Sequence, residues 1–121
     1  WKQIDDKTGS PKAVIQIRQE KDGSYTGKIV KITPRPGYVP QETCIDCPEP
    51  YRNKPILGLD IIHDLKLLSD NSYGNGKILD PLTGKIYSVK GRLLSNGRLL
   101  QLRGYLGIST LGRTQVWIRE K

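Results

Sequence analysis

A chain of 121 residues is the size of one domain, and eight short strands with their turns would use nearly all of it, so a single domain over residues 1–121 is expected. Its core-forming residues are Ile, Leu, Val and Tyr without a single Phe or Met, and 13 Gly and 8 Pro accompany them, a composition that favours strands and turns over packed helices. The net charge of +8 is uneven, because from Lys77 to Lys121 nine Lys or Arg stand against only Asp80 and Glu120; such a face either attracts anionic partners or simply solvates alternate strand positions.

The elements follow in chain order. Trp1 to Asp5 is predicted as a first strand and Lys12 to Glu20 as a second, with Ala13, Ile15 and Ile17 on one face. Asp22-Gly23 supplies the tight turn, and Ser24 to Thr33 returns. Pro34 to Pro55 holds six of the eight prolines and both cysteines, so it reads as a long, stiff, irregular loop covering the domain from outside its core. Part of Leu59 to Leu68 is the next strand, although Ile61, Ile62, Leu65 and Leu68 fit a helical face equally well, and a strand running into a short helix competes. Gly76 to Asp80 is a short strand, and Asp80-Pro81-Leu82-Thr83-Gly84 is a turn in which Pro presets φ and Gly takes the left-handed position.

Lys85 to Leu94 then alternates cleanly, with Tyr87, Val89, Gly91 and Leu93 on one face and Ser88, Lys90 and Arg92 on the other. Ser95-Asn96-Gly97-Arg98 closes the next hairpin. Leu99 to Gly107 sets Leu100, Leu102, Gly104 and Leu106 against Gln101, Arg103 and Tyr105, and Arg113 to Glu120 is the last strand. The expected fold is all-β, a small antiparallel up-and-down barrel of about eight strands with one long Pro-rich loop. No run approaches the ~18 apolar residues of a membrane-spanning helix. A chain that opens on Trp1 and contains no Met reads as a processed or trimmed product.

Few residues carry obvious chemistry. Cys44-Ile45-Asp46-Cys47 has the spacing of a redox pair, of half a zinc site or of a small structural disulfide. A redox pair belongs at a helix N-terminus after a strand, whereas this one lies in a loop between prolines, and zinc would need ligands beyond these sulfurs and the lone His63. An oxidising compartment would select the disulfide. His63 beside Asp64 invites a general-base role, but no nucleophile can be tied to it, so no catalytic residue, metal or cofactor is assigned. The glycines around Tyr73 and Tyr105 do not open a helix as a phosphate loop requires. Arg103, Tyr105, Arg113, Trp117 and Arg119 interleave aromatic and cationic side chains, a pattern that in a barrel plugs an end or lines a cavity rather than binding nucleic acid.

The run from Gly76 to Tyr87, the run Leu102-Arg103-Gly104-Tyr105-Leu106-Gly107 and the following Leu111 to Trp117 resemble the bacterial family called domain of unknown function 2147. Cys44-x-x-Cys47 and Gly58-Leu59 fit the same family, and the resemblance spans essentially the whole chain. It implies a lipocalin-like barrel, periplasmic or secreted, with Cys44 and Cys47 joined in a disulfide, and an early Trp, here Trp1, on which a late Arg such as Arg119 packs. No general activity comes with it.

The functional expectation is therefore a binding module and not an enzyme, one that holds a small amphipathic or lipophilic molecule in the barrel. Tyr87, Val89, Leu100 and Leu102 would form an apolar interior, while Tyr105, Arg113 and Trp117 would meet at a rim whose guanidinium takes the head group. Gly27, Gly91 and Gly104 hint that the interior is hollow. The alternative is an envelope interaction domain that uses its basic face on an acidic polymer, membrane surface or protein partner.

Overall fold

Two-residue alternation and the turn residues produce eight strands in a computed structural model that describes residues 1–4, 11–33, 42–107 and 112–120. They are β1 (Lys2–Ile4), β2 (Pro11–Gln19), β3 (Tyr25–Ile32), β4 (Asp60–Ser69), β5 (Ser72–Leu79), β6 (Ile86–Leu94), β7 (Leu99–Tyr105) and β8 (Gly112–Ile118). Each pairs antiparallel with its sequence neighbour, and Lys2 of β1 meets Ile118 of β8, so the sheet closes into a barrel in chain order. There is no helix among the described residues.

Antiparallel order puts alternate connections at opposite ends. The tight hairpins β2–β3, β4–β5 and β6–β7 lie at one end, and the β1–β2, β3–β4, β5–β6 and β7–β8 connections lie at the other. Local chemistry sets the tight ones: Gly23 has φ 90°, and Asp22 Oδ1 accepts the Ser24 N–H at 2.9 Å and its hydroxyl at 2.6 Å. Ser95, Asn96 and Gly97 all take positive φ between β6 and β7.

The competing helix over Ile61 to Leu68 does not form; β4 is a strand throughout. Its pairing with β3 shifts register on both sides of the Gly27–Ile62 pair, and Asp64 sits at φ 59°. These irregularities break the alternation, so Ile61, Ile62 and Leu65 are all buried, a spacing that imitates a helical face. β5 also starts earlier than expected, at Ser72. A Cβ on Gly74 would press on Leu68 and one on Gly76 on Leu65 and Val89, so these glycines are tight packing positions within a strand.

Residues 34–41 of the Pro-rich connection lie outside the described residues. The described part corrects the expectation of a segment outside the core: Cys44 is completely buried and Cys47 nearly so, both within the core cluster. Thr43 bridges Pro55, and Ile56 and Leu59 follow into the core. Sparse regular pairing is what proline-rich sequence predicts, but buried sulfurs are apolar surface that the barrel uses.

Candidate ligand cavity

Cross-strand partners share a face, so the register fixes which side chains point inward. Val89 faces Gly104, Gly91 faces Leu102 and Leu93 faces Leu100; across the next ladder Gly104 faces Arg113, Leu102 faces Gln115 and Leu100 faces Trp117. The inward column of β8 is therefore Arg113, Gln115 and Trp117, at successive depths.

Trp117 is 1% exposed and forms the floor with Leu100 and Ile15. Beneath it the Arg119 guanidinium lies 4.5 Å from the centre of the Trp1 ring, and Arg119 Nε donates to the Gly97 carbonyl at 2.7 Å. Cation–π contact and hydrogen bond together tie the start of β1 and the end of β8 to the β6–β7 hairpin. Above the floor is a cavity of about 800 Å³, walled by Ile29, Ile61, Val89 and Leu102 and reaching a mouth at the end with the longer connections. That size suits a small molecule.

Polar groups are few and placed by depth. Gln115 Oε1 accepts from Trp117 Nε1 at 3.1 Å and from Gln3 Nε2 at 3.3 Å, so one amide satisfies two interior donors. Lys12, Asp80 and Arg113 line the mouth. An apolar floor, an amide halfway and a mouth of two cations and one carboxylate is an arrangement matched to a molecule with an apolar body and an acidic or polar end.

Of the seven residues expected at this site, Tyr87, Val89, Leu102, Tyr105, Arg113 and Trp117 line the cavity, and Leu100 lies buried in the packed floor. The rim is not as expected. Trp117 is four residues from Arg113, roughly 13 Å along the strand, and belongs to the floor rather than the mouth. Tyr105 reaches the cavity from the last position of β7, and its ring has Lys90 Nζ at 6.0 Å. Gln3, Gln115 and Lys12 were not foreseen; Gln115 shares parity with Arg113 and Trp117, the one signal that could have found it. The three glycines also divide. A Cβ on Gly27 or Gly91 would crowd Ile17 and Ile62 or Leu102, so these two fill rather than hollow the barrel, whereas Gly104 lines the cavity with nothing closer than 3.7 Å.

The mouth is braced from one side. Cys44 and Cys47 are bonded to each other, which removes both sulfurs as zinc ligands. Cys47 Sγ lies 3.7 Å from the Pro81 carbonyl, and a Cβ on Gly84, whose φ is 79°, would collide with the Asp46 carbonyl. Only glycine lets the disulfide ring seat on the β5–β6 turn. Farther out, His63 Nε2 lies 3.1 Å from the Tyr51 hydroxyl and 3.1 Å from the Asp60 carbonyl, linking the β3–β4 connection to β4.

Among solved structures, the Helicobacter pylori protein HP1028, assigned to the lipocalin family, superposes with a TM-score of 0.81; it is 21% identical, and the match covers 99% of this chain and 80% of that one. At that identity the likeness shows the fold. No curated protein matches the chain. Residues 1–119 match the family described as an uncharacterized protein conserved in bacteria, DUF2147. With a closed lipocalin-like barrel and that match across almost its entire length, the chain belongs to the DUF2147 family.

Proposed function

We propose that the protein is a non-enzymatic binding module that takes a small amphipathic molecule, of the fatty-acid type, into its barrel with the acidic end toward Arg113. The observation that carries this reading is the cavity of about 800 Å³ with Trp117 and aliphatic residues below and Lys12 and Arg113 at its mouth. A buried tail is stabilised by the area it removes from water, and a guanidinium gives the head group charge-assisted hydrogen bonds. The Cys44–Cys47 disulfide supports a periplasmic or secreted setting, where such bonds persist. Titration of a fluorescent fatty-acid analogue tests it. Saturable binding by wild type, weakened about tenfold or more in Arg113→Ala by loss of a charge-assisted contact, is expected. Absence of binding, or equal binding by both proteins, rejects it.

A second reading, an envelope interaction domain for an acidic polymer, is supported by β5 to β8. These strands carry Lys77, Lys90, Arg92, Arg103 and Arg113 and no carboxylate, and Lys90 directly opposes Arg103 in register. Like charges so placed repel, and an anionic partner would relieve them. Salt-sensitive binding to an anionic polysaccharide that is lost in Lys90→Glu/Arg103→Glu would favour it.

A further inference from the structure

Turn tips are normally polar, yet three connections around the cavity mouth hold out large aliphatic side chains: Ile45 is 57% exposed, Leu82 45% and Leu106 56%. Leu82 and Leu106 also line the cavity, so the apolar interior continues onto the outer surface at this end.

The tips are held rather than left to collapse inward. Asp80 Oδ1 accepts the Leu82 N–H at 2.9 Å, Thr83 Oγ1 the Lys85 N–H at 3.3 Å, and Gly84 donates to the Asp80 carbonyl at 2.8 Å. The disulfide ring carrying Ile45 seats on this same turn at Gly84 and Pro81, so Ile45 and Leu82 stand on two apposed, mutually braced tips. The cysteines on either side of Ile45 are buried while Ile45 itself is turned out to water.

Charge decides the occupant. Leu82 and Leu106 sit on the connections of the β5 to β8 wall, whose outer face carries Lys77, Lys90 and Arg103 toward this end and no carboxylate, and Lys85 follows the braced turn. Among the described residues the open-end connections hold Glu42, Asp46, Glu49 and Asp80 against Arg52, Lys54 and Lys85, with Glu49 paired to Arg52 and Asp80 engaged in capping its own turn, so the cationic excess lies on the wall beneath Leu82 and Leu106. A net charge of +8 adds attraction to any anionic surface. Aliphatic tips above a cationic wall match an anionic lipid bilayer, whose acyl region takes the tips while its phosphates meet the cations. A solvated acidic polymer offers nothing for the tips to enter.

We propose that the open end docks on an anionic lipid bilayer through Ile45, Leu82 and Leu106, so that a lipophilic ligand passes between membrane and cavity without crossing water. This deepens the cavity reading and rests on it, and it explains the Cys-x-x-Cys ring as the brace of an apolar rim.

Co-sedimentation with phosphatidylcholine vesicles, with and without phosphatidylglycerol, tests the docking apart from the ligand. Wild type should sediment with the anionic vesicles, and Ile45→Asp should partition about tenfold or more less, the scale of removing one buried aliphatic side chain. Leu67→Asp, an equally exposed leucine near the opposite end, should sediment as wild type does. Ile45 does not line the cavity, so Ile45→Asp should bind the fluorescent fatty-acid analogue from water with wild-type affinity; loss of that binding in wild type itself would strike the cavity reading instead. Wild type remaining in the supernatant, or Ile45→Asp sedimenting unchanged, overturns the docking. A lipid-free dimer that Ile45→Asp dissociates also overturns it, by assigning the rim to a second copy of the chain.

Discussion

Arg113, Gln115 and Trp117 occupy alternate positions of one strand and meet three environments: the mouth, the waist and the floor of the cavity. Trp117 heads the fully buried side chains by volume, so Trp117→Ala should lose about 3–5 kcal/mol in urea unfolding, the usual cost of truncating a buried aromatic. Gln115→Leu keeps the volume but strands the Trp117 N–H and the Gln3 amide; a loss of roughly 1–3 kcal/mol is expected where a polar partner is removed in the interior. On the outer wall Arg18 grips Asp60 with two bonds of 3.0 Å, and these hydrogen bonds hold the Asp60 carboxyl below its usual range against the opposing effect of burial. A carboxyl whose folded pKa is depressed contributes stability that is present above its unfolded value and is lost as pH falls through the folded one. Asp60→Asn should therefore lower Tm at neutral pH and flatten its acid limb, while leaving the slope above about pH 5 unchanged.

At the scale of elements, the β3–β4 connection shows how a loop becomes part of a core. Its two sulfurs are buried and its ring rests on the β5–β6 turn. The chain-entropy model assigns a ring this short only about 2 kcal/mol, so shaping the connection matters as much as crosslinking it. Cys44→Ser/Cys47→Ser should be less stable than Cys44→Ala/Cys47→Ala in urea, by roughly 1–3 kcal/mol for each hydroxyl left without a partner. Equal stability would mean that the sulfurs do not sit in apolar surroundings. Gly84→Ala meets both a positive φ and the Asp46 carbonyl, and a loss above about 1 kcal/mol is expected from the backbone strain alone. Replacing Thr43 to Glu49 with a Gly-Ser link, harmless to a mere covering loop, would here remove two core side chains, Cys44 and Cys47.

For the whole molecule, closure and hollowness are separate outcomes. Gly104 lines the cavity in ordinary backbone geometry, so Gly104→Val should fold, Val being at home in a strand, and bind the fatty-acid analogue at least about tenfold more weakly as its methyls enter the ligand volume. Full binding with an intact fold would place the ligand elsewhere. The barrel order, the strands other than β4 and the inward faces of β6 and β7 were legible in the sequence, which left β4 open between a strand and a strand running into a short helix. Period-two alternation and turn chemistry are local, and Asp22-Gly23, Asp80 to Gly84 and Ser95 to Gly97 punctuate the chain where it reverses. The family likeness was legible too, in motifs that prove to include the parts bracing and lining the mouth. What alternation could not convey was anything set by register across the closed sheet. The β4 irregularities that bury Ile61 beside Ile62, the crowding that makes Gly27 and Gly91 fillers but leaves Gly104 facing open space, and the depth of Trp117 below Arg113 all depend on which residue stands opposite which. The burial of Cys44 and Cys47 depends on a turn about forty residues downstream at Gly84, and no local pattern encodes a contact of that sequence separation. Strand formation is a property of neighbours along the chain, whereas a cavity is a property of neighbours across it, and only the closed barrel determines those.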